Sequence, residues 1–382
     1  MTEKYLHYLW KSKQFPLPQT TLTNGEEIIV KNVGEYNEHL KGPDFSFGSI
    51  QYREAVEYGS IEIHINSSDW YAHNHHLDPN YDNVILHVVY QNDKQVIQSG
   101  RAIPTLELKD YVEKRTAEKK SVDAFFSRNY PCANAIEKID EYYLNQMLNN
   151  ALLDKFSFKT KKINELNSTS DFELFYHFLA LGFGMKINQN AFLELIKKIP
   201  FNLILPLTKS ERRRFVLLQA EIMSNETQDS LWHMKGTRPN AFPKKRIAEF
   251  AELISGACLE LNWWSDIQRI DIKHCRVVLS KLDVSNVLSK QFENSLLINV
   301  FAPFLWQLGE IYSNEVYQEK AFEILDSIPA EKNSEVLKAS CLISRPKNAF
   351  ETQGLIALNR YYCSRKKCLS CHVGNKVLNR SI

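Results

Sequence analysis

The sequence lacks most features that would place it outside ordinary globular proteins. Its 382 residues include only 13 glycines and 13 prolines and no low-complexity tract, which excludes a fibrous or largely disordered chain. The first residues form no uninterrupted apolar run, so we expect no secretory signal. The longest apolar stretch, 296–308, contains Asn299 and Pro303 and is shorter than the roughly 20 residues that span a bilayer. We therefore predict a buried helix there and no membrane partner.

Cysteine is scarce as well, and its number is odd. Seven cysteines spread through a long chain without a predicted signal favour reduced thiols or metal ligands over a disulfide framework. We accordingly expect a soluble, cytoplasmic protein. The sequence also has no glycine-rich nucleotide-binding loop and no recognisable serine or cysteine nucleophile motif.

Length and periodicity predict the fold class. A chain of this length exceeds one ordinary core, so we expect two domains. Short β-branched or aromatic runs, typical of strands, follow an opening helix at 3–13 and occupy 26–33, 44–52, 60–65 and 84–90. From about residue 137 the apolar residues recur at helical spacing. We predict an α+β protein, with a mixed-sheet domain at 1–130 and an all-helical domain at 131–382.

Charge is unevenly distributed between these two regions. Residues 1–130 hold 14 basic and 18 acidic side chains, whereas the remainder holds 33 basic and 27 acidic ones. In the last 40 residues eight basic side chains accompany one acid, Glu351. Such a region could bind a polyanion such as DNA or RNA, or could simply be a solvated terminal helix.

A second basic block lies at 235–246. Phe242-Pro243 there predicts the start of a helix, because proline suits the first helical position. The exposed first turn and its basic side chains could take a phosphate, although a packed loop followed by a solvated basic helix is the commoner arrangement. Together the two basic regions supply these candidate nucleic-acid-binding residues: Lys235, Arg238, Lys244, Lys245, Arg246, Arg365, Lys366 and Lys367.

Histidines and carboxylates concentrate in the first domain. Six of the eleven histidines fall between His39 and His87. In the run 60–65, isoleucines alternate with polar residues, so strand pleating puts Glu62 and His64 on the face opposite the core. That polar face is either solvent or a functional site. His87 lies in an apolar strand, where a hydrogen-bonded core histidine is the commoner role.

The preceding Gly42-Pro43-Asp44-Phe45 favours the functional interpretation. If strands 44–52 and 60–65 form a hairpin, Asp44 lies beside Glu62, and two carboxylates so placed suit Mg²⁺ or Mn²⁺. The bound cation would polarise a phosphoryl oxygen and activate a water molecule. The alternative is that both carboxylates have only turn and surface roles.

Pro43-Asp44, followed by Glu62-x-His64 on a strand, resembles the PD-(D/E)XK nuclease superfamily. The resemblance covers about residues 30–90 and implies a metal-dependent nuclease fold: a helix, three strands, a helical segment and a further strand. It implies that Asp44 and Glu62 bind the metal and that Glu35 or Asn37 adds an acidic or polar group upstream. His64 stands where the family has lysine, so here a histidine would orient or deprotonate the attacking water.

Two further resemblances concern the flanking segments. The stretch 68–76, with Trp70, His73 and His75, is similar to the segment after the site strand in very short patch repair endonucleases, which makes both histidines catalytic candidates. The chain as a whole resembles an uncharacterised bacterial family in three blocks, which implies no function. These blocks are Gly42-Pro43-Asp44-Phe45 with Glu62-Ile63-His64, Arg238-Pro239-Asn240 with Phe242-Pro243, and the terminal cysteines.

The terminal cysteines form a second candidate metal site. Cys363, Cys368 and Cys371 have spacings that allow three thiolates to grip one ion, as in a zinc site or an iron–sulfur cluster. Such a site normally has four ligands, and Cys132, Cys275 or Cys341 could supply the fourth. Buried, merely reduced thiols are the alternative.

The sequence thus predicts a metal-dependent phosphodiesterase acting on nucleic acid. Two other functions stay open. A catalytically inactive nucleic-acid-binding scaffold would explain the missing lysine. A zinc metallohydrolase or metal-binding domain would instead use His64, His73 and His75 as ligands.

Overall fold

The computed structural model has the α+β class that the sequence predicts. It describes residues 1–15, 19–37, 41–226, 231–235, 237, 241–256, 261–283 and 287–380.

Contacts divide the chain into two compact units. Unit 1 comprises residues 1–149 and 358–382, and unit 2 comprises residues 150–357. Unit 1 is therefore discontinuous. It includes the terminal cysteine segment, which a single boundary at residue 130 assigns to the helical region.

Unit 1 is built on a mixed sheet. Its strands are β1 (Gln19–Thr21), β2 (Glu27–Asn32), β3 (Glu35–Tyr36), β4 (Phe45–Tyr52), β5 (Ala55–Asn66), β6 (Val84–Gln91) and β9 (Thr105–Glu107). A separate short hairpin contains β7 (Ile97–Gln98) and β8 (Arg101–Ala102). The four longest strands overlap the four predicted from β-branched runs.

Strand direction changes at β5. The sheet order is β1-β2-β4-β5-β6-β9, with β3 also paired to β4. Pairs from β1 to β5 are antiparallel, whereas β5–β6 and β6–β9 are parallel. A parallel pair needs a crossover connection, and residues 67–83 supply it between β5 and β6. The candidate histidines lie at the end of β5 and in this crossover.

The helices of unit 1 precede, interrupt and follow the strands along the chain. They are α1 (Glu3–Lys11), α2 (Asp69–Ala72), α3 (Lys109–Glu113), α4 (Thr116–Ser127) and α17 (His372–Arg380), with the first part of α5 (Glu141–Asn164). Short 3-10 helices cover His75–Leu77, Pro79–Tyr81 and Ala133–Lys138. Helix α1 buries Tyr5, His7 and Trp10 and contacts β5, which brings the first residues of the chain to the polar face of that strand.

Unit 2 is helical. Its elements are α6 (Asp171–Phe183), α7 (Gln189–Lys198), α8 (Phe201–Ile204), α9 (Lys209–Glu226), α10 (Pro243–Ser255), α11 (Ile272–Leu282), α12 (Lys290–Leu296), α13 (Ala302–Tyr312), α14 (Glu315–Asp326), α15 (Ser334–Lys338) and α16 (Ala349–Leu358). Side-chain caps define several starts, including Ser170, Asp271 and Ser289. Pro243 opens α10, as predicted.

The apolar stretch 296–308 lies in the core of unit 2. A π-helical segment, Leu297–Phe301, joins α12 to α13, and Leu296, Phe301 and Leu308 are fully buried. Within the described residues, no helix combines the length and the apolar character needed to cross a membrane.

Gly59 allows β5 to lie close to the residues that precede β6. A Cβ atom there would meet the Asn83 carbonyl oxygen at 2.3 Å and Ile85 Cγ2 at 2.6 Å. We expect Gly59→Ala to lower the free energy of unfolding by about 1–3 kcal/mol, because backbone must move to admit the methyl group. Urea denaturation would measure this, with Ser60→Ala as the control expected within about 0.5 kcal/mol of wild type. Equal stability of both variants would contradict the close packing.

Candidate metal centre

Strand β5 presents two buried polar side chains on one face. Glu62 is only 5% exposed and His64 only 2%, so the face opposite the isoleucines is not solvent. Buried polar groups need partners, and those of Glu62 and His64 include Asp44, which precedes β4, His87 of β6 and the histidines of the crossover. The alternation of isoleucines with polar residues in the sequence thus marks an enclosed polar site rather than a solvent-exposed face.

Helix α1 and β4 hold one side of this site. The backbone N–H of Asp44 donates to Glu62 Oε2 at 2.9 Å, and the backbone N–H of Ile63 donates to Asp44 Oδ2 at 3.0 Å. His7 Nε2, from α1, lies 3.2 Å from the same Asp44 oxygen. These reciprocal contacts fix Asp44 and Glu62 as neighbours across the β4–β5 pair.

The crossover brings two more histidines to the same place. His73 ends α2 and His75 begins the next 3-10 helix, with Asn74 between them at φ 63°. In a continuous helix, residues two apart point to widely different directions. The left-handed conformation, which asparagine adopts more readily than most residues, interrupts the helix so that both imidazoles approach His64.

The donor atoms of His64, His73 and His75 converge. Among the residues that the structure describes, these three form a group in which one donor atom from each lies within 4.8 Å of the others. His73 Nδ1 is 3.2 Å from His64 Nε2. Glu62 Oε1 is 3.4 Å from His64 Nε2 and 3.3 Å from His75 Nε2. The cluster therefore offers three nitrogen donors and an adjacent carboxylate oxygen.

His87 holds the other side of the His64 ring. His87 Nε2 lies 2.9 Å from His64 Nδ1, and His87 is fully buried on β6. If His64 Nδ1 carries the proton and donates it to His87, then His64 Nε2 keeps a lone pair directed at the cluster. The prediction of a hydrogen-bonded core histidine at position 87 is confirmed.

Aromatic rings enclose the cluster. Trp70 is fully buried and packs edge-on against His64 and His75, with centroid distances of 6.4 and 5.5 Å. Tyr81 stacks on His75 at 3.9 Å. His73 is exposed, so the enclosure opens to solvent on that side. The rings limit the rotamers of the donors while leaving one approach for a ligand.

The two carboxylates differ in protonation. Burial, and next the negative charge of Asp44, raise the pKa of Glu62 to about 9. Burial acts in the same direction on Asp44, but the charge of His7 and the hydrogen bond from Ile63 outweigh it and lower the pKa of Asp44. Burial opposes a charged His7, yet Asp44 raises its pKa. The negative charge of the pair thus resides on Asp44, next to His7.

Two of the clustered imidazoles, those of His64 and His75, have lowered pKa values, which favours their neutral form. Burial, and next the proximity of His75, lower the pKa of His64 to about 3, and burial lowers the pKa of His75. The contacts of Glu62 with these rings therefore join uncharged groups around pH 7. Neutral imidazole is the form that binds a metal ion, so the lowered pKa values of His64 and His75 favour metal binding.

The structure does not bring every predicted catalytic residue to this centre. Asp44 and Glu62 are neighbours, but Asp44 Oδ2 already interacts with the Ile63 N–H and His7. Glu35 is exposed on β3, where it pairs with Ser46. The upstream acid near Asp44 is instead Glu3, whose pKa is raised by burial and by the charge of Asp44.

Sequence reasoning missed Glu3 and His7. Both lie within the predicted opening helix, four residues apart and hence on one face. The sequence did contain a signal for these two residues: an acidic side chain and a histidine share one face of a helix whose neighbouring residues are buried. Only the contact of α1 with β5 relates that face to Glu62.

The terminal thiols Cys363, Cys368 and Cys371 are all buried in unit 1. In the described part of the chain, their sulfur atoms are not grouped within 4.8 Å of one another as the three histidine donors are. Cys275 and Cys341 belong to unit 2, whereas Cys132 is buried in unit 1.

The candidate nucleic-acid-binding residues have different environments. Arg246 is not on the exposed first turn as predicted: it is buried, its guanidinium donates to Glu249 and it lies over the Phe292 ring. The Lys366 ammonium donates to the Arg128 carbonyl. Arg238 lies outside the described residues. Four of the other candidates have exposed side chains: Lys235, Lys244, Lys245 and Arg365.

Fold and geometry together define an α+β protein with a histidine cluster that could hold a metal ion. The chain belongs to the family described as "Protein of unknown function (DUF2851)", which matches residues 3–229 and 205–334. No curated protein and no solved structure matched the chain.

Proposed function

We propose that this protein is a metal-dependent hydrolase that holds a zinc-class ion with His64, His73 and His75. The observation that carries the proposal is the convergence of these three donors beside the buried Glu62 carboxyl group. Three imidazoles are one of the ligand sets with which catalytic zinc keeps a position for water or substrate. The bound ion would lower the pKa of that water and polarise the scissile group.

The spacing of the donors supports zinc. A tetrahedral ion with bonds of about 2.0–2.1 Å places its ligand atoms about 3.3–3.4 Å apart. His73 Nδ1 and His64 Nε2 are 3.2 Å apart, and one donor atom from each of the three histidines lies within 4.8 Å of the others. The His64–His73 pair therefore already has nearly the spacing of two ligands on one zinc ion.

Glu62 is the general base in this proposal. Its Oε1 lies beside the cluster, 3.4 Å from His64 Nε2 and 3.3 Å from His75 Nε2, where it can accept a proton from a water molecule on the ion. A cation at the imidazoles would lower the raised pKa of Glu62, because opposite charge stabilises the carboxylate. The Asp44 N–H then orients the second oxygen, Oε2.

The proposed substrate is the phosphodiester backbone of a nucleic acid. The order α1, β2, β4, β5, crossover and parallel β6 supports this, because it is the order that the resemblance to PD-(D/E)XK nucleases implies. In that superfamily the two acids would hold Mg²⁺ or Mn²⁺. We favour the histidine site instead, since Asp44 Oδ2 already interacts with Ile63 and His7.

Cleavage assays on single-stranded and duplex DNA and RNA test the proposal, with a small chromogenic phosphodiester as a sequence-independent substrate. Protein loaded with Zn²⁺ or Mn²⁺ should cleave at least one of them, and His73→Ala should not. The control His76→Ala alters an exposed neighbouring ring outside the cluster and should retain activity. Salt-sensitive binding in EDTA without cleavage would instead support an inactive binding scaffold.

We also expect His87→Leu to weaken zinc binding about 10–100-fold, because His64 would lose the partner that orients its ring. Competition with a fluorescent zinc chelator measures the affinity. His87→Gln keeps a hydrogen-bond acceptor at this position and should recover part of the loss. Unchanged affinity in His87→Leu, with its thermal stability also unchanged, would contradict the orienting role.

A further inference from the structure

We propose that unit 2 contains a binding site for a small amphipathic organic anion, a molecule with an apolar body and one negatively charged group. The site is a cavity of about 800 Å³, and its described lining residues all belong to this unit. Ligand cavities in proteins usually measure about 300–1,000 Å³, so this space suits one small molecule. The proposal does not depend on the histidine site or on hydrolase activity.

The inner wall of the cavity is apolar. Phe183, Phe192 and Phe292 line it and are at most 3% exposed. Their rings pack on one another, with centroids 5.1 Å apart for Phe183 and Phe292 and 6.3 Å apart for Phe183 and Phe192. Rings fixed in this way offer an apolar ligand body a rigid surface on which to be buried.

The π-helical segment Leu297–Phe301 contributes to the same wall. Ile298, within this segment, lines the cavity and is 2% exposed. The Lys159 ammonium, from α5, donates to the Asn299 carbonyl at 2.5 Å and so satisfies one backbone group of the wide turn. Segments of this kind are rare and occur frequently at functional sites. Their presence here favours a role for the cavity beyond packing.

The turn between α6 and α7 forms part of the rim. Met185 and Ile187 line the cavity, yet they are 39% and 37% exposed. Met185 also adopts φ 51°, a strained left-handed conformation for a residue other than glycine. Strained backbone of this kind is concentrated at ligand-binding segments. A ligand in the cavity would cover both side chains and recover the free energy lost by exposing them to water.

The charge of the lining favours an anion. Among the lining residues that the structure describes, Lys186, Arg246 and Lys332 are basic and only Glu331 is acidic. Arg246 is buried in the wall and is neutralised by Glu249. The two lysines are exposed at the rim, where a ligand with its apolar body inside the cavity would place its charged group.

Other side chains compensate the charge of Glu331. Its Oε2 accepts from the Gln353 amide and, at 3.5 Å, from the Thr352 hydroxyl. The Lys155 ammonium donates to the same Gln353 side chain. Glu331 is thus stabilised by a network from α5 and α16, which leaves the rim lysines to attract an anion.

Anilinonaphthalene sulfonate tests the proposal, because it is itself an aromatic anion whose fluorescence rises in apolar surroundings. Titrated into the full-length protein, with native packing verified by near-UV circular dichroism, it should bind saturably at one site per chain. Dodecanoate and naphthoate should both displace it, and the more effective of the two distinguishes a chain-like from a ring-like body. The cation dodecyltrimethylammonium should need at least about tenfold higher concentration, because its charge is repelled by the rim lysines.

Met185→Gly separates binding from folding. Glycine adopts positive φ without strain, so the variant should unfold at the same or a higher temperature. It should nevertheless bind the probe about 3–10-fold more weakly, because an apolar contact at the rim is lost. Ser313→Gly is the matched control, since Ser313 has φ 49° and does not line the cavity. Its affinity for the probe should equal that of wild type.

Lys332→Glu tests the sign of the ligand charge. It should weaken dodecanoate binding about 3–10-fold, and less so at high salt, because it reverses a rim charge. Lys338→Glu reverses an exposed charge on α15 outside the lining and should have no effect. Unchanged affinity in Lys332→Glu, or equal displacement by the cation, would overturn the assignment of an anion. Absence of saturable probe binding to natively packed protein, or unchanged affinity in Met185→Gly, would overturn the site itself.

Discussion

Replacing His75 by alanine is expected to weaken zinc binding more than about 100-fold, because loss of a direct ligand should exceed the roughly 10–100-fold cost of losing an outer-shell partner. His75 Nε2 lies 3.3 Å from Glu62 Oε1, and the ring stacks on Tyr81. Zinc bound to the wild-type and His75→Ala proteins would be measured by elemental analysis and chelator competition.

The neighbouring His76 provides a matched control. His76 is exposed, and its ring packs against Tyr71 outside the donor group. His76→Ala removes the same number of atoms from the same 3-10 helix and should bind zinc as wild type does. Equal zinc affinity in His75→Ala and His76→Ala would remove His75 from the ligand set.

Glu62→Gln is expected to lower kcat by about 10²–10⁴-fold, the usual contribution of a general base. The amide keeps the size of the side chain and can still accept the Asp44 N–H, so the fold and the bound zinc should be retained. Steady-state cleavage kinetics at saturating zinc, together with the zinc content, measure both properties. Loss of zinc together with activity would instead make Glu62 a ligand, and unchanged kcat would remove it from the mechanism.

The polar face of β5 could be predicted from the sequence because strand pleating depends only on alternation. Glu62 and His64 share that face, and both are at the centre of the site. The approach of His73 and His75 could not be predicted from spacing. It depends on the left-handed conformation of Asn74, which asparagine permits but does not impose.

The identity of the acids near Asp44 depended on tertiary contacts. Glu35 was predicted from its position upstream of Asp44, but β3 leaves it exposed. Glu3 and His7 are remote in sequence and come close because α1 packs on β5. In the same way, the spacing of the terminal cysteines predicts a metal site, but in the described part of the chain their sulfur atoms are not grouped within 4.8 Å of one another.

The central claim is that the divalent ion binds to imidazoles rather than between two carboxylates. Anomalous X-ray diffraction from crystals soaked with Zn²⁺ and, separately, Mn²⁺ tests it most directly. We predict a zinc peak about 2.0–2.1 Å from one nitrogen each of His64, His73 and His75. A peak bound by Asp44 and Glu62, with no histidine nitrogen in its coordination shell, would contradict the account.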